Sequence, residues 1–159
     1  MKTVKYLVPF VLAFLTSCSS LVLKPADFSW PIESVNDVSQ NGKVEVKRYS
    51  FNFDAKPLFI KETGDSTSYQ NQQLRVIRNS KGYYFMVSNN FKNVYVFNVK
   101  DGEFKLEKKI EISKNTGIQN PAFNQRPPFI ELVYGQNSDQ KINLNEDGIV
   151  KEEVKKWKS

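Results

Sequence analysis

The feature that most limits the possible folds of this chain is a succession of short β-forming runs, each closed by a turn signal. The turn signals are Gln40-Asn41-Gly42, Ser80-Lys81-Gly82, Lys100-Asp101-Gly102 and Asn145-Glu146-Asp147-Gly148. Asn-Gly and Asp-Gly pairs between apolar runs favour tight hairpins, because both residues readily adopt positive φ. The pattern predicts an all-β fold of antiparallel strands, either a sandwich or a partly open barrel.

The apolar and aromatic runs predict where the strands lie: 32–38, 43–53, 74–79, 83–88, 94–99, 103–112, 129–134 and 140–144. Within 43–53 the apolar positions change phase near Lys47-Arg48, which predicts a β-bulge or a bend. The runs 83–88 and 94–99 are apolar on both faces, as is typical of central strands covered on both sides. Residues 64–73 are predicted to form a polar surface loop, and residues 115–128 an irregular segment.

The run after Gly102 alternates most regularly. Phe104, Leu106, Ile110 and Ile112 are predicted to share a buried face, with Glu and Lys residues on the wet face. Lys108 interrupts the apolar row, which indicates a strand near a sheet edge. Residues 149–158 fit either a short C-terminal helix or an edge strand.

Charge and composition exclude several classes of protein. The chain has no histidine and one cysteine, which argues against intrachain disulfides, His-based catalysis and zinc sites. No cofactor site and no metal site are predicted. The net charge of +6 is spread over a surface that also carries acids, so nucleic acid is not an expected partner. A basic surface is also compatible with anionic lipid head groups or anionic glycans.

The N-terminus reads as an export signal. Lys2 and Lys5 precede an apolar stretch, Tyr6 to Leu15, that is too short to span a bilayer as a stable helix. It ends in Leu15-Thr16-Ser17-Cys18. This stretch resembles the lipobox of bacterial lipoproteins, in which an aliphatic residue and two small residues precede a cysteine.

The resemblance covers about the first 20 residues and implies removal of a signal peptide, residues 1–17. It also implies diacylglycerol on the Cys18 thiol and a fatty acid such as palmitate on the new amino group. Membrane lipid is then a partner through Cys18, residues 18–31 are a tether, and residues 32–159 are one β-rich domain. Because Ser19 rather than Asp follows the cysteine, the sorting rule of enteric bacteria favours the outer membrane over the inner one.

One segment is predicted as a binding site. Residues 121–129 combine three prolines, which restrict the unfolded chain, with polar and aromatic side chains. The candidate binding residues are Phe123, Asn124, Gln125, Arg126 and Phe129. Arg126 offers a planar fork for a carboxylate or phosphate. The alternative is a rigid crossover whose Phe residues fill the core and whose Arg pairs with a nearby acid.

Two further groups of residues have a possible functional role and an ordinary structural one. Tyr83, Tyr84, Phe91 and Tyr95 are either an exposed aromatic surface or, more commonly, core. Asp54, Glu62 and Asp65 lie near the polar loop, but nothing in the sequence brings two of them together as a catalytic pair.

No catalytic constellation emerges, so the chain is expected to be a non-enzymatic, membrane-anchored module that binds or scaffolds a protein or glycan in the cell envelope. The alternative is a glycan-acting hydrolase that uses carboxylates, which requires a cleft holding two converging acids.

Overall fold

A computed structural model of the protein describes residues 33–151. The elements along this part of the chain are β1 (Ser34–Asp37), β2 (Lys43–Val46), β3 (Phe51–Asp54), α1 (Lys56–Thr63), β4 (Gln73–Arg78), β5 (Tyr84–Ser88), β6 (Asn93–Lys100), β7 (Glu103–Glu111), β8 (Ala122–Arg126), β9 (Phe129–Tyr134), β10 (Gln140–Asn145) and β11 (Gly148–Val150). A 3-10 turn, Lys47–Tyr49, lies between β2 and β3. The predicted all-β class is confirmed.

The strands form two open sheets and one hairpin. A five-stranded sheet has the order β1-β4-β5-β6-β7, and a four-stranded sheet has the order β11-β10-β9-β8. The third unit is the β2–β3 hairpin, and all strand pairs within residues 33–151 are antiparallel. The sheets therefore do not close into a barrel.

Both faces of the five-stranded sheet are covered. On one face, Tyr84 packs edge-on against Phe51 of the hairpin, with ring centroids 5.5 Å apart. On the opposite face, Ile77 and Phe85 are fully buried and belong to the same core as Leu132 of the four-stranded sheet. The two sheets thus form a sandwich, with the β2–β3 hairpin and α1 as an additional layer. As predicted, β5 and the first half of β6 are buried on both sides.

The predicted single strand 43–53 is wrong, because the chain reverses within it. The 3-10 turn and the left-handed Ser50 (φ 56°) turn the chain back on itself, so that β2 pairs with β3. Val44 is opposite Phe53 and Val46 is opposite Phe51. Because paired residues point to the same side, all four apolar side chains face the sheet, which explains the phase change in the sequence.

The predicted shared face of β7 is also wrong. The β6–β7 register shifts between Val96, which is paired with Lys108, and Phe97, which is paired with Leu106. This extra residue moves Phe104 and Leu106 to the face opposite Ile110, since a one-residue slip reverses side-chain direction. Phe104 joins the aromatic rings of the hairpin layer, and Leu106 is exposed. The edge position expected for β7 is confirmed.

One predicted loop contains a strand, and another follows a helix that was not predicted. Residues 115–128 include β8, so only the first part of that segment is irregular. The polar loop is preceded by α1, which the sequence analysis missed; α1 has Pro57 in its first turn and ends at Gly64 (φ 76°). Of its residues only Leu58 and Phe59 are buried, so the sequence shows no clear apolar stripe with helical spacing.

The structure tests only part of what was predicted for the two ends of the chain. Residues 148–150 form β11, paired with β10, so the edge strand is correct there. The signal peptide, Cys18, the tether, Ile32 and residues 152–159 lie outside the described residues. Between residues 33 and 151, no helix has the length and apolar character needed to cross a membrane.

Candidate functional site

The predicted binding segment forms strand β8 and the corner that leads into β9. Phe123 is buried in the core, and its backbone N–H donates to Glu33 Oε1 at 2.9 Å. Phe129 is half-buried and pairs with Arg126. Gln125 shares the inward face with Phe123, and its Oε1 is buried without a hydrogen-bond partner among the described residues. Phe123 and Gln125 therefore point away from any ligand on the outer face.

Asn124 and Arg126 lie on the outer face, where both bind a carboxylate of β9. Arg126 Nη1 donates to Glu131 Oε2 at 2.7 Å, and Asn124 Nδ2 donates to Glu131 Oε1 at 3.2 Å. The hydrogen bonds from Asn124 and then Arg126 lower the pKa of Glu131. We call these three residues the Glu131 cluster. Its arrangement matches the alternative interpretation, in which the Arg pairs with a nearby acid.

The predicted aromatic group lies mostly in the interior. Tyr84, Phe91 and Tyr95 are buried, and Tyr83 is half-buried. Phe91 packs edge-on against Phe59 of α1 at a centroid distance of 4.9 Å. These rings join the sheet to the layer above it.

The three predicted carboxylates make separate contacts. Glu62 accepts hydrogen bonds from the Lys92 backbone N–H, Asn93 Nδ2 and the Tyr95 hydroxyl. Asp65 accepts from Thr67, which lowers its pKa, and Asp54 accepts from the Lys56 backbone N–H. The acids therefore stabilise α1 and its flanking turns. Within residues 33–151, no three acidic, His or Cys side chains converge as a metal site would require.

A polar groove that the sequence analysis did not find lies at the Asp37 end of β1. It has a volume of about 560 Å³, within the range of roughly 300–1,000 Å³ typical of ligand sites. We call it the turn-end groove, and it is lined by Asp37, Val38, Asn71, Gln72, Gln73, Arg75, Asn89, Asn120 and Pro121. Side-chain amides make up most of its polar groups.

Tight turns position these amides. Asn71 and Asn120 have left-handed backbones, with φ of 56° and 46°, and so does Asn90 beside Asn89, with φ of 66°. Asn tolerates this conformation better than most residues. The Asn90 N–H donates to Ile118 O at 2.8 Å, which fastens the 89–90 turn to the segment before β8. The groove is therefore bounded by turns held through backbone hydrogen bonds.

Hydrogen bonds within the groove use only part of its capacity. Gln73 Nε2 donates to Asp37 Oδ1 at 3.0 Å, and the Asn120 N–H donates to Asn89 Oδ1 at 3.0 Å. The side chains of Asn71 and Gln72 make no hydrogen bond to any residue between 33 and 151. Donors and acceptors consequently remain available to a ligand.

The charges of the groove nearly balance. Arg75 Nη1 lies 2.7 Å from Glu33 Oε2, outside the groove lining, while Asp37 contributes the opposite charge within it. Burial raises the pKa of Glu33, against the opposing effects of the Phe123 N–H and Arg75. The site is thus nearly neutral and rich in hydrogen-bonding groups.

The signal that could have found the groove was the repeated Asn in turns: 71, 89, 90 and 120. Their convergence depends on tertiary structure, because they come from three separate connections. Comparison of the chain with known protein families, with curated proteins and with solved structures finds no match.

Proposed function

We propose that the chain is a lipid-anchored, non-enzymatic binding module of the bacterial cell envelope, and that the turn-end groove holds its ligand. The observation that carries this proposal is the groove itself, in which the side-chain amides of Asn71 and Gln72 make no hydrogen bond to any residue between 33 and 151. Asn71 is exposed and Gln72 is half-buried, so both amides are accessible to a ligand that enters this concavity.

The direction of β1 supports this proposal. The sequence places the lipidated Cys18 before Glu33, whereas the groove lies at the Asp37 end of the strand. A strand of this length spans about 13 Å. Asp37 therefore lies well away from the point at which the tether joins the described fold, while Arg75, on another part of the lining, pairs with Glu33 at that point.

The engagement of the carboxylates favours binding over the alternative of a glycan hydrolase. Glycosidase carboxylates stand about 5–9.5 Å apart across the scissile bond. Asp37 is the carboxylate that lines the groove, and Glu33 is turned toward Arg75 and Phe123. Both carboxylate oxygens of Glu33 are therefore already engaged, which does not suit a catalytic acid or base.

Photo-crosslinking in cells tests the proposal. A photoreactive residue at position 71 is expected to capture an envelope component, whereas the same residue at position 52, on the exposed side of β3, is the matched control. Equal capture at both positions, or none at position 71, contradicts groove binding. Mass spectrometry of the mature protein tests the anchor separately, since an unmodified Cys18 or a retained leader contradicts lipidation.

Co-purification after mild detergent extraction distinguishes an assembly role from ligand binding. A stoichiometric protein partner that survives changes at positions 71 and 72 would indicate a scaffold that uses another surface.

A further inference from the structure

We infer that the ligand of the turn-end groove is an uncharged oligosaccharide, bound through its hydroxyl groups. This inference rests on the proposed function, because it assigns a chemical class to the ligand of the same groove. Three properties of the groove support it: the type of its polar groups, its charge balance and the way its amides are held.

The polar groups match sugar hydroxyls. Each amide of Asn and Gln carries two donors and an acceptor, and each hydroxyl both donates and accepts. Five amide side chains line the groove: Asn71, Gln72, Gln73, Asn89 and Asn120. A ligand with closely spaced hydroxyls can pair with several of these groups at once.

The charges argue against an anionic ligand. Recognition of phosphate or carboxylate uses cations with free donor groups. Arg75 is the cation that lines the groove, and the carboxylate of Glu33, 2.7 Å from its Nη1, offsets its charge. Asp37 in the same lining would repel an anion.

The apolar content argues against a peptide side chain as the main anchor. The apolar residues of the lining, Val38 and Pro121, are both buried. Peptide and protein partners usually bury aromatic or aliphatic anchors at the centre of a contact.

Two amides of the groove are held by a hydrogen bond at one polar atom, which leaves the other polar atom available. Asn89 accepts the Asn120 N–H through Oδ1, which leaves its Nδ2 available. Gln73 donates through Nε2 to Asp37, which leaves its Oε1 available. Side chains held in this way lose less entropy on binding, so they are preorganised for a ligand.

Titration of the full chain with neutral oligosaccharides tests the inference. The probes are maltotetraose, cellotetraose and tetra-N-acetylchitotetraose, all uncharged. Binding is monitored by ¹H–¹⁵N NMR with up to about 10 mM sugar, because weak sites of this kind bind in the millimolar range. At least one probe is expected to shift the amides of 71–73, 89–90 and 118–120 saturably. The shifts should persist in about 0.5 M NaCl, since a neutral ligand is not screened.

A pair of matched double variants makes the test specific. Each amide hydrogen bond lost is expected to weaken binding about threefold to tenfold. The variant N71A/Q72A should therefore weaken binding at least tenfold, while N52A/Q140A, which removes one exposed Asn and one exposed Gln elsewhere, should leave it unchanged.

Three results would overturn the inference. The first is the absence of groove shifts with all three sugars, and the second is shifts confined to other surfaces. The third is a groove that responds to a peptide through the free edge of β1 but not to sugars. If position 71 still crosslinks in cells in any of these cases, the ligand class is wrong while groove binding stands.

Discussion

The Glu131 cluster and the turn-end groove use similar side chains in opposite ways. In the cluster, Asn124 and Arg126 both donate to one carboxylate that is only 7% exposed. In the groove, Asn71 and Gln72 make no side-chain hydrogen bond within residues 33–151. The cluster thus uses its polar groups to satisfy a buried charge, while the groove leaves them available.

The two regions also differ in the secondary structure that carries their polar side chains. The cluster lies on paired strands, β8 and β9, where alternation fixes which side chains meet. The two amides of the groove that make no side-chain hydrogen bond within residues 33–151 lie instead in the turn before β4, although Gln73 of the same groove pairs with Asp37 across β4 and β1. Polar residue type alone therefore does not identify a binding site, because the partner supplied by the neighbouring strand decides whether a side chain remains free.

The largest effect is expected where the groove depends on backbone packing. A Cβ at position 117 would lie 2.5 Å from Asn90 O and 2.6 Å from Asn90 Cα, closer than real contacts allow. Gly117→Ala should lower the free energy of unfolding by about 3 kcal/mol, at the upper end of overpacking costs. Urea denaturation measures this loss, and NMR should show shifts at Asn89 and Asn120.

Gly102→Ala is the matched control for this substitution. Gly102 has φ of 78°, but a Cβ there would meet no atom within 4 Å. Its expected loss is about 1 kcal/mol, from backbone strain alone. Equal losses at positions 117 and 102 would show that close approach to Asn90 does not shape the groove.

The second effect concerns the Glu131 cluster. N124A/R126A removes both donors that these residues supply to a buried carboxylate, which should reduce stability by about 1–2 kcal/mol. Adding Glu131→Gln should recover part of the loss, because the unpaired charge disappears. No recovery would mean that packing rather than hydrogen bonding explains the cost.

Arg126→Ala also decides whether the predicted segment contacts a partner. Lost stability with unchanged crosslinking at position 71 is expected if Arg126 serves only Glu131. Lost partner binding with unchanged stability would instead support the original hypothesis that Arg126 meets a ligand.

Sequence reasoning located strands better than it located side-chain partners. The positions of β4, β5, β6, β9 and β10 follow from runs of apolar residues and turn signals, which are local properties. The reversal at Lys47 left a phase change in the apolar pattern that local reading can only partly interpret, whereas the β7 register shift left none, because Phe104 and Ile110 are in the same phase in the sequence. Both a hairpin and a bulge can produce the change at Lys47, and only the pairing partner distinguishes them.

The groove could not be predicted from local sequence patterns, for a related reason. Its amides come from connections near residues 71, 89 and 120, and their meeting depends on the packing of one sheet against the other. By contrast, Arg126 and Glu131 are only five residues apart, and a hairpin brings them together. An Arg–acid pair could therefore be considered from the sequence, whereas the repeated asparagines in turns did not indicate that they meet in one groove.

A third, smaller effect is expected in the pH dependence of stability. The pKa of Glu131 is lowered from its ordinary value of 4.5 by the Asn124 and Arg126 hydrogen bonds. The stabilisation that follows from this lowered pKa is present when the pH is above the ordinary pKa. It is lost as the pH falls through the pKa of the folded state. The stability advantage of the wild type over Glu131→Gln should shrink on acidification, by less than about 1 kcal/mol.

Glu33, next to the groove, should show the opposite sign. Burial raises the pKa of Glu33 in the folded state. Its favourable contribution to the free energy of unfolding is therefore present when the pH is below the pKa of the unfolded state, and it is lost as the pH rises through the pKa of the folded state. The wild type should therefore gain stability relative to Glu33→Gln on acidification. Denaturation of the wild type and of both variants between pH 3 and 7, about four units, gives the slope against pH of each difference in the free energy of unfolding. Slopes of the same sign for Glu131→Gln and Glu33→Gln would contradict the opposite pKa shifts of the two acids.

The smallest effect on stability is expected at the groove amides, although the effect on binding there should be the largest. N71A/Q72A removes no side-chain hydrogen bond made within residues 33–151, so the free energy of unfolding should fall by only about 0.5 to 1 kcal/mol, because Ala tolerates the left-handed backbone of Asn71 (φ 56°) less well than Asn does. A loss above about 1 kcal/mol, comparable to that of N124A/R126A, would mean that these amides support the fold. The contrast between the two regions would then disappear, because both would use their polar groups internally. A loss of stability no larger than this backbone cost, combined with weakened oligosaccharide binding, would instead show that the amides of the groove are free to bind a ligand.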